Sequence, residues 1–152
     1  MEHQKAVIIL GSSNSQGNTR KIADQLASKI GCEIIDLNGY AIGYFDYEFK
    51  NQGDEFIPLM ESITARFSTL IFATPVYWYT MSAVMKTFFD RISDLLKIRK
   101  DLGRKLRGKS MAMISCSGDD DLPAGFDMPF RESAAYLGMH YLGAWHSWVE
   151  DG

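Results

Sequence analysis

The chain carries a loop of hydroxyl and amide side chains, GSSNSQGNTR at residues 11–20, directly after the apolar run AVIIL. A glycine-containing turn between a strand and a helix often binds phosphate, because the helix N-terminus offers free N–H groups and the positive end of the helix dipole. The loop has no lysine, so neutral donors would have to hold the phosphate. Each such hydrogen bond contributes only about 1 kcal/mol net, and many are therefore needed. The alternative is an ordinary loop whose helix is capped by Asn18 or Thr19.

Two familiar phosphate-binding motifs do not fit this loop. The P-loop G-x-x-x-x-G-K-[ST] fails because the interval from Gly11 to Gly17 is one residue too long, and Asn18 stands where lysine is required. The dinucleotide fingerprint G-x-G-x-x-G fails because Ser13 occupies its second glycine. A phosphate held by neutral donors remains open.

A second segment, TPVYWYTMSAVMKTFFDRI at residues 74–92, places aromatic residues behind a proline. We expect Pro75 to stop a strand ladder and to restrict Thr74 to an extended backbone. The aromatic residues Tyr77, Trp78 and Tyr79 then follow at a strand end, where they suit a flat ring ligand. Packing of these rings against the next helix, or a subunit contact, explains the same residues equally well.

Apolar runs and helical periods alternate along the whole chain, and they define the elements that position these two segments. Predicted strands cover residues 6–10, 33–37, 69–74, 110–116 and 140–148. A first helix ends at Gly31, and further helices are predicted at about 54–66, 82–97 and 130–137.

The first, third and fourth strands are almost continuously apolar, which is typical of parallel strands buried on both faces. The alternation therefore predicts an α/β fold: a doubly wound, five-stranded parallel sheet in the flavodoxin-like order 2-1-3-4-5. Ligands of such sheets bind outside the carboxyl ends of the strands, where the order reverses. Residues 11–18 and 75–79 both lie there, so the two segments converge on one crevice.

We expect the closing C-terminal helix of this fold to be absent, since few residues follow the fifth strand. That helix would share a sheet face with the first helix. We expect Met111, Met113 and Ile114 to need cover on that face, and a second subunit to supply it. A homodimer or homotetramer is therefore predicted.

Length and composition indicate one globular domain over residues 1–152, with 46% apolar and 23% charged residues. The net charge of −3 favours neither nucleic acid nor an anionic membrane surface as partner. The apolar runs are strand-sized, so no transmembrane helix is expected. Cys32 and Cys116 form no metal-ligand or C-x-x-C spacing, which is typical of a cytoplasmic protein with reduced thiols.

Together, GSSNSQGNTRKIA and TPVYWYTMSAVMKTFFDR resemble the flavodoxin-like NAD(P)H-dependent FMN reductase family, and the resemblance extends over essentially the whole chain. It implies that the first loop wraps the FMN phosphate through Ser12, Asn14, Gln16, Gly17, Asn18 and Thr19. It implies that Pro75, Val76, Tyr77 and Trp78 line the flavin ring. It further implies that the loop after the fourth strand borders the ring through Ser115, Ser117, Gly118 and Asp119. That loop reads SCSGDDD, where relatives often have more glycines.

The resemblance also implies the reaction. FMN would take hydride from NAD(P)H and pass electrons to a quinone, free flavin or similar small acceptor, while the protein supplies orientation and electrostatics. A flavodoxin-type electron carrier is the alternative, although such carriers are typically more acidic. Response-regulator receivers require acidic residues after the first strand, where Gly11 and Ser12 stand instead. Iron–sulfur flavoproteins require a cysteine cluster that this sequence lacks.

Several other residues have ordinary interpretations that we favour over catalytic ones. Lys86 and Asp90 are four apart and predict a surface ion pair. Cys116 is expected to be buried and inert, and His146 to be structural, although a proton-donating role for His146 stays open. The acidic run 119–121 is expected to be a solvated turn. The aromatic segment 38–53 either covers the flavin pocket or packs in a dimer.

Overall fold

The structure, a computed structural model, describes residues 5–149, so residues 1–4 and 150–152 of the predicted domain lie outside it. Within the described range the strands are β1 (Ala6–Leu10), β2 (Glu33–Asp36), β3 (Thr69–Pro75), β4 (Ser110–Ser117) and β5 (His140–Trp148). The helices are α1 (Asn18–Ile30), α2 (Phe56–Arg66), α3 (Ala83–Arg91), α4 (Asp94–Lys97), α5 (Lys100–Lys105) and α6 (Met128–Leu137).

The strands form one parallel sheet in the order β2-β1-β3-β4-β5. This confirms the predicted doubly wound, flavodoxin-like arrangement. The order reverses between β1 and β3, which pair with Leu10 opposite Ala73 although they are not consecutive strands. Nearly every residue of β1, β3 and β4 is buried, as their continuous apolar character predicts.

The two faces of the sheet are covered unequally. Core residues of α2 to α6 pack on one face, whereas α1 packs on the other. Met111 and Met113 lie on the well-covered face and are fully buried, so the prediction that they need cover is wrong. The period of two along β4 places Ala112 and Ile114, instead, on the face of α1. Among residues 5–149, no helix follows β5.

The predicted long helix at 82–97 is broken after Arg91. Around the break, Ile92, Ser93 and Leu95 donate their N–H groups to residues three positions earlier rather than four. The apolar spacing continues from α3 into α4, and for that reason the sequence pattern does not reveal the break. Arg91 itself is buried and bonds to Asp94 three residues later, which holds the tightened turn.

Pro75 is the last residue of β3, so the strand ends at the proline as predicted, although it includes one residue more than the predicted range 69–74. Pro75 lies opposite Cys116, and just beyond it Val76 donates its N–H to Cys116 O at 3.2 Å. Successive N–H groups of a parallel strand point to opposite neighbours, so the N–H that Pro75 lacks would point toward β1. That strand has already ended at Leu10, and no ladder hydrogen bond is lost.

Other element boundaries differ slightly from those predicted. Helix α2 begins at Phe56, whose N–H is accepted by Asp54 just before the helix, and α6 begins at Met128. Helix α5 was not predicted. Across residues 5–149, no helix combines the length and apolar character needed to cross a membrane.

Candidate functional site

Three loops leave the sheet at its carboxyl edge, after β1, β3 and β4. Leu10 lies opposite Ala73, and Pro75 lies opposite Cys116, so the three strand ends are immediate neighbours. The sequence motifs of residues 11–17 and 76–80 therefore meet at the point where the strand order reverses.

The first loop ends in a helix start that no side chain caps. The N-cap residue of α1 is Gly17, in extended backbone, and no side-chain hydrogen bond caps the helix. The prediction that Asn18 or Thr19 caps it is wrong, because both residues already lie within the first turn of α1. The first-turn N–H groups are consequently left for an acceptor from outside the helix.

Side chains of the loop mainly fix its own shape. Ser12 is buried, and its hydroxyl accepts from Asn14 N at 3.2 Å. Asn14 Oδ1 accepts in turn from Gln16 N at 3.0 Å. Thr19 is buried as well, whereas Ser13, Asn14, Gln16 and Asn18 are exposed. The loop thus presents polar groups to solvent around an uncapped helix start.

Ser82 joins the first loop to the helix behind the second. Its hydroxyl donates to Gly11 O at 2.7 Å and accepts from Met85 N at 3.1 Å, capping α3. A Cβ on Gly11 would lie only 3.2 Å from Met85 Cα, so a larger residue there would force the two elements apart. Glycine at this position lets the loop approach α3 closely.

The second loop is a tight two-residue turn with an unusual backbone. Tyr77 and Thr80 exchange N–H to carbonyl hydrogen bonds of 2.9 and 3.2 Å. Between them, Trp78 and Tyr79 adopt φ of 50° and 72°, in the left-handed region that favours glycine. Both side chains are largely exposed, at 92% and 75%. The turn therefore holds two aromatic rings out of the protein at a conformational cost.

A cavity of about 810 Å³ lies between the second loop and the loop after β4. Its lining residues are Val76, Trp78 and Tyr79 on one side, and Ser117, Gly118, Asp119, Asp121, Pro123 and Ala124 on the other. This volume falls within the range of cofactor and small-ligand sites. Pro75, Tyr77 and Ser115, which the sequence also predicted to border the ring, are not among the lining residues, and Ser115 is buried.

Comparison with known proteins shows which family this chain resembles. The family model for NADPH-dependent FMN reductase matches residues 4–151. YwqN of Bacillus subtilis (strain 168), whose name describes an NAD(P)H-dependent FMN-containing oxidoreductase, is 30% identical over 149 residues, covering 91% of this chain and 82% of the relative.

The chain belongs to the NADPH-dependent FMN reductase family.

The protein is accordingly an FMN-dependent oxidoreductase that takes its electrons from NAD(P)H, and the predicted enzyme class and cofactors are confirmed. Among solved structures, the Trp repressor binding protein from Bacillus subtilis is 26% identical with a TM-score of 0.76, covering 96% of this chain and 85% of that one. An NADPH-quinone reductase from P. pentosaceus shares the fold, with a TM-score of 0.66 at 18% identity over 95% of this chain and 85% of that one.

The residues at the carboxyl edge fit the cofactor of this reductase family. A phosphate group needs several donors, and the uncapped start of α1 with its exposed amides supplies them without a lysine. A flat ring needs aromatic surface, and the cavity beside Trp78 and Tyr79 supplies that. The two requirements are met at adjacent strand ends.

Asn38 supports the first loop, a contact that the sequence interpretation missed. It lies in the turn after β2, and its Nδ2 donates to Ser12 O at 2.5 Å and to Ser15 Oγ at 3.0 Å. One amide thus braces the first loop at two points. Its sequence signal is weak, since an Asn-Gly pair after a strand ordinarily indicates no more than a turn.

Arg91 is the second missed residue, and it anchors the aromatic segment 38–53. Although only 1% exposed, its guanidinium donates to Gly43 O at 3.0 Å and Asn51 O at 3.2 Å, and it pairs with Asp54 at 2.6 Å and Asp94 at 3.0 Å. The segment is therefore clamped to the end of α3.

The apolar and aromatic side chains of this segment differ in burial. Tyr40 and Ile42 pack against the core, while Tyr44 and Tyr47 are exposed. A smaller cavity of about 420 Å³ separates the segment from the first turns of α3.

The remaining polar residues that the sequence singled out have structural surroundings. Cys116 is buried, and burial raises the pKa of its thiol, which keeps it protonated and unreactive near neutrality. Lys86 and Asp90 form the predicted exposed ion pair. Asp119, Asp120 and Asp121 are exposed, as expected for a solvated turn.

Proposed function

We propose that the three loops at the carboxyl edge bind FMN and that the enzyme passes electrons from NAD(P)H to a small quinone-like or free-flavin acceptor. The proposal depends chiefly on one observation: an uncapped helix start and an aromatic-walled cavity lie at adjacent strand ends. When bound, FMN supplies the hydride and electron transfer chemistry.

The first loop would hold the phosphate end of the cofactor. The donors are backbone N–H groups at the start of α1 and the side chains of Ser12, Asn14, Gln16, Asn18 and Thr19, with Gly17 leaving the helix end open. Ser12 and Asn14 contribute mainly by shaping the loop, since both accept hydrogen bonds from its backbone.

The second and third loops would hold the ring. Trp78 and Tyr79 supply aromatic surface, Val76 lines the cavity on the same side, and Ser117 to Asp119 form its polar wall. Pro75, Tyr77 and Ser115 do not line the cavity, and they would act indirectly by fixing the conformation of these loops. Backbone N–H groups near Trp78 and Gly118 are suited to stabilise negative charge that develops on a reduced ring.

Hydride transfer at this site does not require any side chain to act as an acid or a base. The protein residues bind and orient the reactants, and the open cavity leaves room for a flat acceptor after the nicotinamide has departed. The flavodoxin-type carrier is not favoured, because the chain belongs to a reductase family.

The visible spectrum of the purified protein with added FMN, followed by anaerobic NADPH, tests this proposal. We expect bound yellow flavin that bleaches with NADPH and recovers its colour when a quinone or free riboflavin is added. Bound flavin that NADPH does not reduce would contradict the reductase activity. Absence of FMN binding would contradict the assignment of the three loops.

Three further features belong to the proposal. Residues 1–152 form one FMN-binding domain, and the protein is cytoplasmic, which the two unpaired thiols Cys32 and Cys116 support.

The chain forms a homodimer or homotetramer through the thinly covered sheet face. An apolar groove of about 1020 Å³ lies there, lined by α1 and by Ile71, Ala112, Ile114, Leu142 and Trp145.

A further inference from the structure

The loop after β4, which lines the cavity beside Trp78 and Tyr79, is hydrogen-bonded to a histidine on the neighbouring strand. His146 of β5 lies opposite Ser115 of β4 in the parallel register. Its Nδ1 is 2.7 Å from Ser115 Oγ, and its Nε2 is 2.9 Å from Asp119 O and 3.2 Å from Ser117 Oγ. One imidazole ring thus spans the strand end and the loop beyond it.

These partners select the tautomer of the neutral imidazole ring. The carbonyl oxygen of Asp119 can only accept, so Nε2 must carry the hydrogen. In the neutral ring Nδ1 is then an acceptor, and the rotatable hydroxyl of Ser115 donates to it. Ser115 is only 1% exposed, and without His146 its hydroxyl would lose this partner in a buried position.

The geometry points to His146 as a positioning residue for the loop after β4, which forms one side of the cavity proposed to hold the flavin ring. Its Nε2–H holds the Asp119 carbonyl, and the Asp119 N–H in turn donates to Ser117 Oγ at 3.2 Å. Ser117, Gly118 and Asp119 all line the cavity, so the ring of His146 fixes the first part of the loop that forms one side of it. His146 acts through these residues and does not itself line the cavity.

This inference depends on the proposed function, in which that cavity receives the flavin ring. Its mechanism is preorganisation: a loop already held in the binding shape loses less conformational entropy when the cofactor binds. The segment SCSGDDD contains one glycine and no bulky side chain. On the β5 side the backbone of Ser117 is held by the N–H of Val149 at 3.0 Å, and beyond Ser117 the bond from His146 to Asp119 O restrains the loop.

The test compares two substitutions of this histidine. His146→Leu keeps a similar volume but removes both ring nitrogens, whereas His146→Gln retains an amide N–H that can reach Asp119 O. We expect His146→Leu to raise the FMN dissociation constant about tenfold, the effect of losing one or two neutral hydrogen bonds, and His146→Gln to restore most of the affinity. Ser147→Ala, whose side chain lines the groove on the opposite face of β5, is the control and should bind FMN normally.

A second measurement needs no cofactor. Amide hydrogen exchange in the apoprotein should accelerate over residues 117–119 in His146→Leu, and should return toward the wild-type rate in His146→Gln. If His146→Leu is unfolded, Ser115→Ala replaces it, because this change removes only the Nδ1 partner; a smaller acceleration over the same residues is then expected.

The outcomes separate this inference from the proposed function. A wild type that binds FMN, together with unchanged affinity and unchanged exchange in His146→Leu, would overturn the inference alone. Failure of His146→Gln to restore either quantity would also overturn it. A wild type without affinity for FMN would contradict the proposed function, and the inference would fall with it.

Discussion

At the scale of single residues, the tight turn of the second loop, after β3, places two aromatic residues in a backbone conformation that usually requires glycine. Trp78 and Tyr79 have positive φ, and their side chains gain little from burial in the protein itself. Strain of this kind persists where the surrounding structure enforces it, and it is concentrated at binding sites. The exposed aromatic pair is thus better explained by a ligand than by the stability of the fold.

Tyr79→Gly and Tyr79→Ala form a matched pair that measures this strain. Both substitutions remove the ring, but only glycine adopts a φ of 72° without cost, so Tyr79→Gly should be more stable than Tyr79→Ala by about 1 kcal/mol. Urea unfolding of the two variants is the measurement. FMN affinity should fall in both, and equal unfolding free energies would contradict the strained turn.

A second prediction at the residue scale concerns Asn38, whose side chain supports the first loop, the one proposed to hold the phosphate. Asn38→Ala should weaken FMN about fivefold to tenfold, the effect of one to two hydrogen bonds, and should leave riboflavin affinity unchanged because riboflavin has no phosphate. Fluorescence titration of the apoprotein with both flavins measures the difference. Asn51→Ala removes a side-chain amide bond to Tyr44 O, away from the loop, and serves as control. An equal loss of affinity for both flavins would show that Asn38 does not act through the phosphate.

At the scale of elements, a buried ion cluster couples the aromatic segment to the break between α3 and α4. Burial alone would raise the pKa of Asp54, but hydrogen bonds from Arg91 and from the N–H groups of Gly43 and Phe56 outweigh it, and its pKa lies below the ordinary value of 3.8. Arg91 also pairs with Asp94, so the same side chain holds a loop and a helix junction.

The pH dependence of stability tests this clamp. A carboxyl whose pKa is lowered by folding contributes its full stabilisation above 3.8, and this contribution is lost as the pH falls through the folded-state pKa. Asp54→Asn should therefore lower the free energy of unfolding by about 3 kcal/mol at pH 7, since it leaves Arg91 with one carboxylate, and the difference from wild type should shrink in acid.

Urea unfolding at pH 7, 4 and 3 measures that difference. Asp90→Asn, which removes an exposed ion pair with Lys86, is the control and should change stability by less than about 0.5 kcal/mol. A wild type and an Asp54→Asn variant that lose stability in parallel between pH 4 and pH 3 would contradict the role of the Asp54 carboxylate.

At the scale of the whole molecule, the sheet is covered by five helices on one face and by α1 on the other, counted over residues 5–149. The resulting groove is continuous with β5, where Leu142 and Trp145 are more than half exposed. Contiguous apolar surface of this kind is typical of a protein interface. A second copy of the chain is the proposed occupant.

Trp145→Glu tests this assembly. Light scattering at micromolar concentration should show a dimer or tetramer for the wild type and a shift to monomer for the variant, because a carboxylate in an apolar interface is costly to desolvate. Tyr136→Glu, at an exposed position on α6 on the other side of the sheet, should leave the mass unchanged. A monomeric wild type would contradict the proposed assembly.

The sequence by itself determined the order of the sheet and the meeting of the two motifs. Strands such as AVIIL are apolar throughout because both of their faces are buried, and parallel connections between them admit few topologies. The loops after the first and third strands then had to share one edge. The family followed from those loops, since their side chains suit a phosphate and a flat ring.

Only the tertiary structure decided which distant residues support those loops. Asn38, Arg91 and His146 each bind backbone or hydroxyl groups 23 or more positions away along the chain. Periodicity reports which face of an element is buried, and it contains no information on such polar contacts between elements. The same limit explains the helix break after Arg91 and the placement of Met111 and Met113, because both depend on which neighbour a side chain meets once the sheet has assembled.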